Sequence, residues 1–187
     1  MCPSDRLPDL LPDNVRLVFS GTAVGRKSAA RGSYYAGRGN RFWRTLFEVG
    51  LTSQKLAPCE YRELSQWGIG LTDVVKYSAG NDSDLHSNDY DVRRWLLSMA
   101  KAAPKAIAFN GKKAASVVLA CRTKEIDYGS MGAAIGSIQN AVVFVMPSTS
   151  GSASKYWNIE PWRKLADFHR SISRTEIELR RNELATP

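Results

Sequence analysis

Residues 15–46 read VRLVFSGTAVGRKSAARGSYYAGRGNRFWRTL, and the order of features in this stretch decides the fold. The apolar run Val15–Phe19, bounded by Asn14 and by Ser20-Gly21, predicts a buried strand. A glycine loop, Gly21-Thr22-Ala23-Val24-Gly25, follows it. Six basic residues and no acidic one lie from Arg26 to Arg44, with Tyr34 and Tyr35 in their midst. Phe42, Trp43, Leu46 and Phe47 then fall at helical spacing and Gly50 stops the helix. Bared backbone amides, cations and flat aromatic faces together suit a phosphate-linked base.

Further along, a short helical stretch is expected over 58–66, with Tyr61 and Leu64 on one face, then an apolar segment over 67–76 and a long polar loop, SAGNDSDLHSND. Ser87 opens a helix signature whose apolar face would hold Tyr90, Val92, Leu96, Leu97 and Met99 before Pro104. Ala106–Phe109 predicts a strand and Lys113–Cys121 a helix. Residues 126–138 predict a hairpin or loop pair, Ala141–Met146 a strand, and 157–182 a long, charged helix. This alternation predicts one α/β domain over 14–187 behind an irregular arm, 1–13, with a central, mostly parallel sheet covered on both faces. Ligands in such folds bind beyond the carboxyl ends of the strands, here segments 21–41, 72–85, 110–112 and 147–154.

Composition narrows the class. No window is long and apolar enough to span a membrane, and the N-terminus lacks a signal-peptide layout, so a cytoplasmic protein is expected. Three scattered cysteines and two histidines, without metal-ligand spacing, predict neither disulfides nor a bound metal. The net charge of +8, concentrated next to the glycine loop, favours a nucleic-acid partner. The glycine loop is not a nucleotide-binding P-loop: three residues rather than four separate its glycines, and Arg26 precedes Lys27.

Gly21-x-x-x-Gly25, Tyr35-Ala36-x-x-x-Asn40-Arg41-Phe42-Trp43, Gly70-Leu71-Thr72, the strand ending in Gly111-Lys112, and Pro147-Ser-x-Ser-Gly151 occur in succession. This succession resembles the mismatch-specific uracil-DNA glycosylases and their thymine-DNA glycosylase relatives, from about Val15 to the last helix. The resemblance implies a three-layer α/β/α domain, without cofactor, that flips a damaged base from DNA and hydrolyses its N-glycosidic bond. It also places Tyr35 at the base-stacking position and gives Thr22 and Ala23 backbone amides to hold the base. Thr72 falls in a segment lining the base pocket. Small or hydroxylated residues Ser148, Ser150, Gly151 and Ser152, together with Lys112, suit phosphate contact, as do the cations Arg26 and Lys27.

Two departures matter. The asparagine that positions water in the family's first motif is Ala23 here, whose methyl can neither hold nor polarise water. Asp73, next to Thr72, is the expected replacement as general base, with Asp82 and Asp84 as weaker candidates. The leucine that fills the hole left by a flipped base is Ser152, which is too small for that role unless Tyr156 or Trp157 takes it over. A monomer acting on single- or double-stranded damaged DNA is expected, with uracil and other damaged bases as substrates. A hypoxanthine-directed enzyme and an inactive nucleic-acid-binding relative are the alternatives.

Overall fold

The computed structural model describes residues 5–135 and 138–185. Residues 1–4 of the expected arm, 136–137 of the expected hairpin, and 186–187 lie outside the described residues. The apolar run forms strand β1, Leu17–Ala23, which continues through Gly21 instead of turning there. β1 pairs in parallel with β2 (Ile69–Val75) on one side and with β3 (Ala106–Asn110) on the other. β3 pairs in parallel with β5 (Ile138–Met146), and β4 (Gly129–Ile135) lies antiparallel to β5 at the edge. The order is β2-β1-β3-β5-β4.

Alternation along the strands sends side chains into two cores. Leu17 and Phe19 join Phe42, Trp43 and Leu46 of α2 (Phe42–Glu48) and Trp162 and Leu165 of α5 (Glu160–Ala185). Val18, Ile107 and Phe109 join Trp95 and Met99 of α3 (Val92–Ala102) and Ala114 and Val118 of α4 (Lys112–Val118) on the other face. Each large apolar side chain buried in these layers contributes about 1.5–3 kcal/mol. The result is a single α/β domain with a mostly parallel sheet between helices.

Local chemistry explains where the elements differ from expectation. Within the expected loop, Arg26–Arg31 forms a one-and-a-half-turn helix, α1, ended by Gly32 in the left-handed region at φ 60°. Residues Pro58–Trp67 form a 3-10 helix. α3 starts after Asp91, whose carboxylate accepts from the Arg94 N–H at 2.9 Å, and Ser87 belongs to a separate 3-10 turn. Trp95 is fully buried on that helix, whereas Leu97 is 63% exposed, so the apolar face runs through 95 and 99. The segment Gly151–Tyr156 is a 3-10 turn before α5. Residues of the arm are tied to the outer edge of β2: Leu10 and Leu71 exchange backbone hydrogen bonds at 2.8 and 2.9 Å, and Arg6 N–H donates to Lys76 O at 2.8 Å. That covers an edge otherwise open to pairing with another chain.

The chain leaves β1 toward α1 and α2, on one face, and leaves β3 toward α4, on the other. The carboxyl ends of β1 and β3 therefore flank a crevice of the kind where α/β sheets bind ligands.

Candidate active site

A cleft of about 770 Å³ opens at this crevice, and residues from all four strand-end segments line it. Gly21, Thr22 and Ala23 come from the end of β1, Arg26 and Lys27 from α1, Tyr35 from the following loop, and Asp73 from β2. Asn110, Lys112, Ser148, Ser150 and Ser152 close the other side. Of the site candidates singled out by sequence, Thr72, Asp84, Gly151, Tyr156 and Trp157 are not among the lining residues.

Thr72 needs correction as a pocket residue. It lies one position from Asp73 on a strand and so faces the opposite way. Its side chain is fully buried, donating to Asp9 Oδ1 at 2.8 Å and accepting from Lys76 Nζ at 2.8 Å. Lys76 is itself buried in an ion pair with Asp9. Gly151 instead packs near the backbone of Gly39.

Asp73 is 5% exposed and is the register partner of Gly21 on β1. A Cβ added at Gly21 would fall well under 3.0 Å from Asp73 Oδ1 and 3.7 Å from the Tyr35 hydroxyl. The missing side chain at Gly21 thus lets the carboxylate lie across the neighbouring strand. Burial pushes the Asp73 carboxyl up to about 7, with Asp9 adding to the rise, while Lys76 and the Gly21 backbone pull it down. Asp82 lines the cleft but is exposed; Asp84 is exposed and pairs with Arg26 at 3.3 Å. Neither has the environment of Asp73.

Tyr35 is placed by an aromatic and hydrogen-bonded frame. Its ring stacks on Phe42 with centroids 3.9 Å apart and planes 26° from parallel. Trp43 Nε1 donates to Tyr34 O at 3.1 Å, and the Ala36 N–H donates to the buried Ser28 Oγ at 2.9 Å. Arg31 Nη1 donates to Ala36 O at 2.8 Å. Within this frame Tyr35 adopts φ 53°, an uncommon conformation for a bulky residue. Tyr34, by contrast, is 2% exposed and belongs to the core.

The basic run does not form one continuous patch. Arg41 reaches Ser154 Oγ at 3.1 Å and sits 5.4 Å over the Trp157 ring, fastening the third motif to the start of α2. Arg44 pairs with Glu48 at 3.6 Å. Arg26, Lys27, Lys112 and Lys113 are the cations that line the cleft.

A uracil DNA glycosylase superfamily model matches residues 8–168, which is most of the chain. The chain belongs to the uracil DNA glycosylase superfamily. Its fold is also similar to a solution NMR structure from Methanosarcina acetivorans described as a "putative Uracil DNA glycosylase". That likeness has a TM-score of 0.61 at 23% identity, covering 88% of this chain and 96% of the other.

Three residues of this superfamily member's cleft carry no individual role in the sequence reading. Asn110 ends β3 and is locked by Thr149, donating to Thr149 Oγ1 at 2.8 Å and accepting from Thr149 N at 3.0 Å. A polar side chain at the end of a buried strand, before Gly-Lys, is the signal that could have found it. Asn40 lines the cleft and also accepts from the Phe42 N–H at 3.0 Å at the start of α2. Tyr128 lies beneath Lys112, whose Nζ is 4.6 Å from the ring centre, and no local sequence signal announces that pairing. Among the described residues, no group of three or more His, Cys, Asp or Glu side chains gathers to hold a metal, and no helix is long and apolar enough to cross a membrane.

Proposed function

We propose that this chain is a monofunctional DNA glycosylase, akin to the mismatch-specific enzymes, that hydrolyses uracil and other deaminated or damaged bases from DNA. The observation that carries the proposal is the Asp73 carboxyl, buried at the floor of a cation-lined cleft and poised to ionise at about 7. A general base works best when its ionisation lies near the working pH.

In this reading the flipped nucleotide enters the cleft, with its base against the Tyr35 ring and the Thr22 and Ala23 amides. Arg26, Lys27, Lys112, Ser148, Ser150 and Ser152 line the approach for the flanking phosphates, and Gly151 lets their segment pack closely against the Gly39 backbone. As the N-glycosidic bond breaks, its electron pair leaves with the base and positive charge grows on the sugar. The Asp73 carboxylate stabilises that charge and accepts a proton from the water whose oxygen bonds to C1′. The base leaves as an anion and takes up a proton from solvent, Asp73 releases the proton it accepted, and an abasic site and the free base result, with no covalent enzyme intermediate.

The test is an abasic-site cleavage assay on oligonucleotides carrying uracil, hypoxanthine, xanthine or an etheno-adduct. Product from uracil, absent in Asp73→Asn, supports the reading. Tight binding with no product from any of the four overturns it in favour of a nucleic-acid-binding relative. Product from hypoxanthine alone would move the substrate to that base.

A further inference from the structure

The Tyr35 ring accounts for stacking, but its hydroxyl has no role in the mechanism above. That oxygen is buried, and among the described residues no group completes a hydrogen bond with it. Leaving a buried polar group without a partner is costly, so such a group in a cleft calls for an explanation. Its position supplies one. The hydroxyl and Asp73 Oδ1 both lie over Gly21, the residue whose lack of a side chain leaves room for them. Both residues line the cleft. The strained backbone at Tyr35, held by Phe42, Ser28 and Arg31, aims the hydroxyl there.

We propose that the Tyr35 hydroxyl is a second catalytic group, which donates a hydrogen bond to the attacking water while Asp73 removes that water's proton. This rests on the glycosylase reading and deepens it: Tyr35 and Asp73 together replace the asparagine missing at Ala23. The water uses one lone pair to accept from Tyr35, keeps the other for C1′, and gives one proton to Asp73. Burial, with Asp73 beside it, pushes the Tyr35 hydroxyl well above its ordinary range, so it remains a donor throughout. The Asn110 side chain approaches the hydroxyl as a hydrogen-bonding group, short of full hydrogen-bond geometry, and acts in the opposite direction. Lys76 just past the end of β2, Asp9 from the arm and the Gly21 backbone of β1 act on Asp73, whereas Tyr34 and Tyr35 from the loop after α1 are themselves raised by it.

Tyr35→Phe removes one oxygen and keeps the stacking ring, which separates the two roles. Two measurements are made on the full chain. One is single-turnover cleavage of uracil-containing DNA across pH, alongside DNA affinity. The other is the titration of the Asp73 carboxyl by carbon-13 NMR, assigned with Asp73→Asn. The expected result is a rate about 10–100-fold lower with unchanged affinity, and an Asp73 titration moved upward, because the water that donates to the carboxylate is no longer polarised by the hydroxyl. Tyr35→Leu, lacking the ring as well, should additionally weaken binding of the damaged base. A wild-type rate in Tyr35→Phe overturns the proposal. So does a lower rate with an unmoved Asp73 titration, which would assign the hydroxyl to the base instead. If the wild-type chain cleaves nothing, the glycosylase reading fails, and an unmoved titration in Tyr35→Phe would overturn the hydroxyl–carboxyl coupling as well.

Discussion

Gly21→Ala is the most informative substitution, because the structure states what the new methyl must displace. It would lie well under 3.0 Å from Asp73 Oδ1, against an ordinary van der Waals contact beginning at 3.4 Å. The strands cannot easily part, since β1 is paired to β2 at six positions and held by β3 on its other side. The short Asp73 side chain must therefore swing away, by on the order of 1 Å. A misplacement of that size costs about 10²-fold in rate. Complete loss of general-base help, as in Asp73→Asn, costs about 10²–10⁴-fold and sets the ceiling. Single-turnover cleavage of a uracil-containing oligonucleotide measures both, with thermal unfolding as a check on the fold. The double variant should lose little beyond Asp73→Asn alone, because the glycine acts through the aspartate. Gly25→Ala is the contrast: its φ of −66° suits any residue and no protein atom lies within 4 Å of the new methyl. Losses that multiply in the double variant, or a near-normal rate for Gly21→Ala, would refute the reasoning.

Other outcomes follow from the same geometry. With Asp73 ionising at about 7, the single-turnover rate should rise roughly tenfold per pH unit below that point and level off above it, and Asp73→Asn should lose this limb. Because the folded-state value lies above the unfolded one, ionising Asp73 destabilises the fold. That cost begins near pH 4, grows until about pH 7 and then stays constant. Asp73→Asn should therefore raise the unfolding temperature at pH 8, by an effect on the order of a few kcal/mol, and change it little at pH 4. DNA affinity should fall steeply with salt. Lys112→Ala should reduce the log–log slope by about 0.9 if it meets a phosphate, and Arg26→Ala by less, since Arg26 already pairs with Asp84. Uracil in a single strand should be cleaved at least as fast as uracil opposite guanine, because Ser152 cannot fill a vacated stack. A strong guanine-mismatch preference lost in Tyr156→Ala would instead make that 64%-exposed tyrosine the wedge.

The sheet was legible because its signals are local. Leu17 to Phe19, Ala106 to Phe109 and Ala141 to Met146 are apolar runs ended by Gly, Asn or Pro. The segments that meet in the cleft follow from the rule that ligands lie past the strand ends. Side-chain direction was less accessible. Thr72 and Asp73 look equivalent in sequence, yet the pleat turns one toward Lys76 and the arm and the other into the cleft. The arm itself, with three prolines and no periodicity, gave no sign that Asp9 would reach Lys76. Long-range pairs of this kind depend on tertiary packing. Nor could charge counting reveal that Arg41 and Arg44 are occupied within the fold.

Gly21 illustrates how a motif can keep its pattern while its reason changes. By sequence it reads as the first residue of a loop that bares amides. In the fold it is a strand residue, without left-handed backbone, whose essential property is space for the Asp73 carboxylate. Alanine at 23, glycine at 21, tyrosine at 35 and aspartate at 73 are therefore one interdependent set. In the proposed mechanism, water is held from β2 and from the loop after α1 rather than from position 23. Both groups can reach it only across a bare position on β1. Restoring asparagine at Ala23 in an Asp73→Asn background tests that dependence. Tyr35 and Gly21 are shaped here around a carboxylate, so the transplanted asparagine should recover only a small part of the lost rate. Recovery to the wild-type rate would show that Ala23 and Asp73 are independent solutions and dissolve the set.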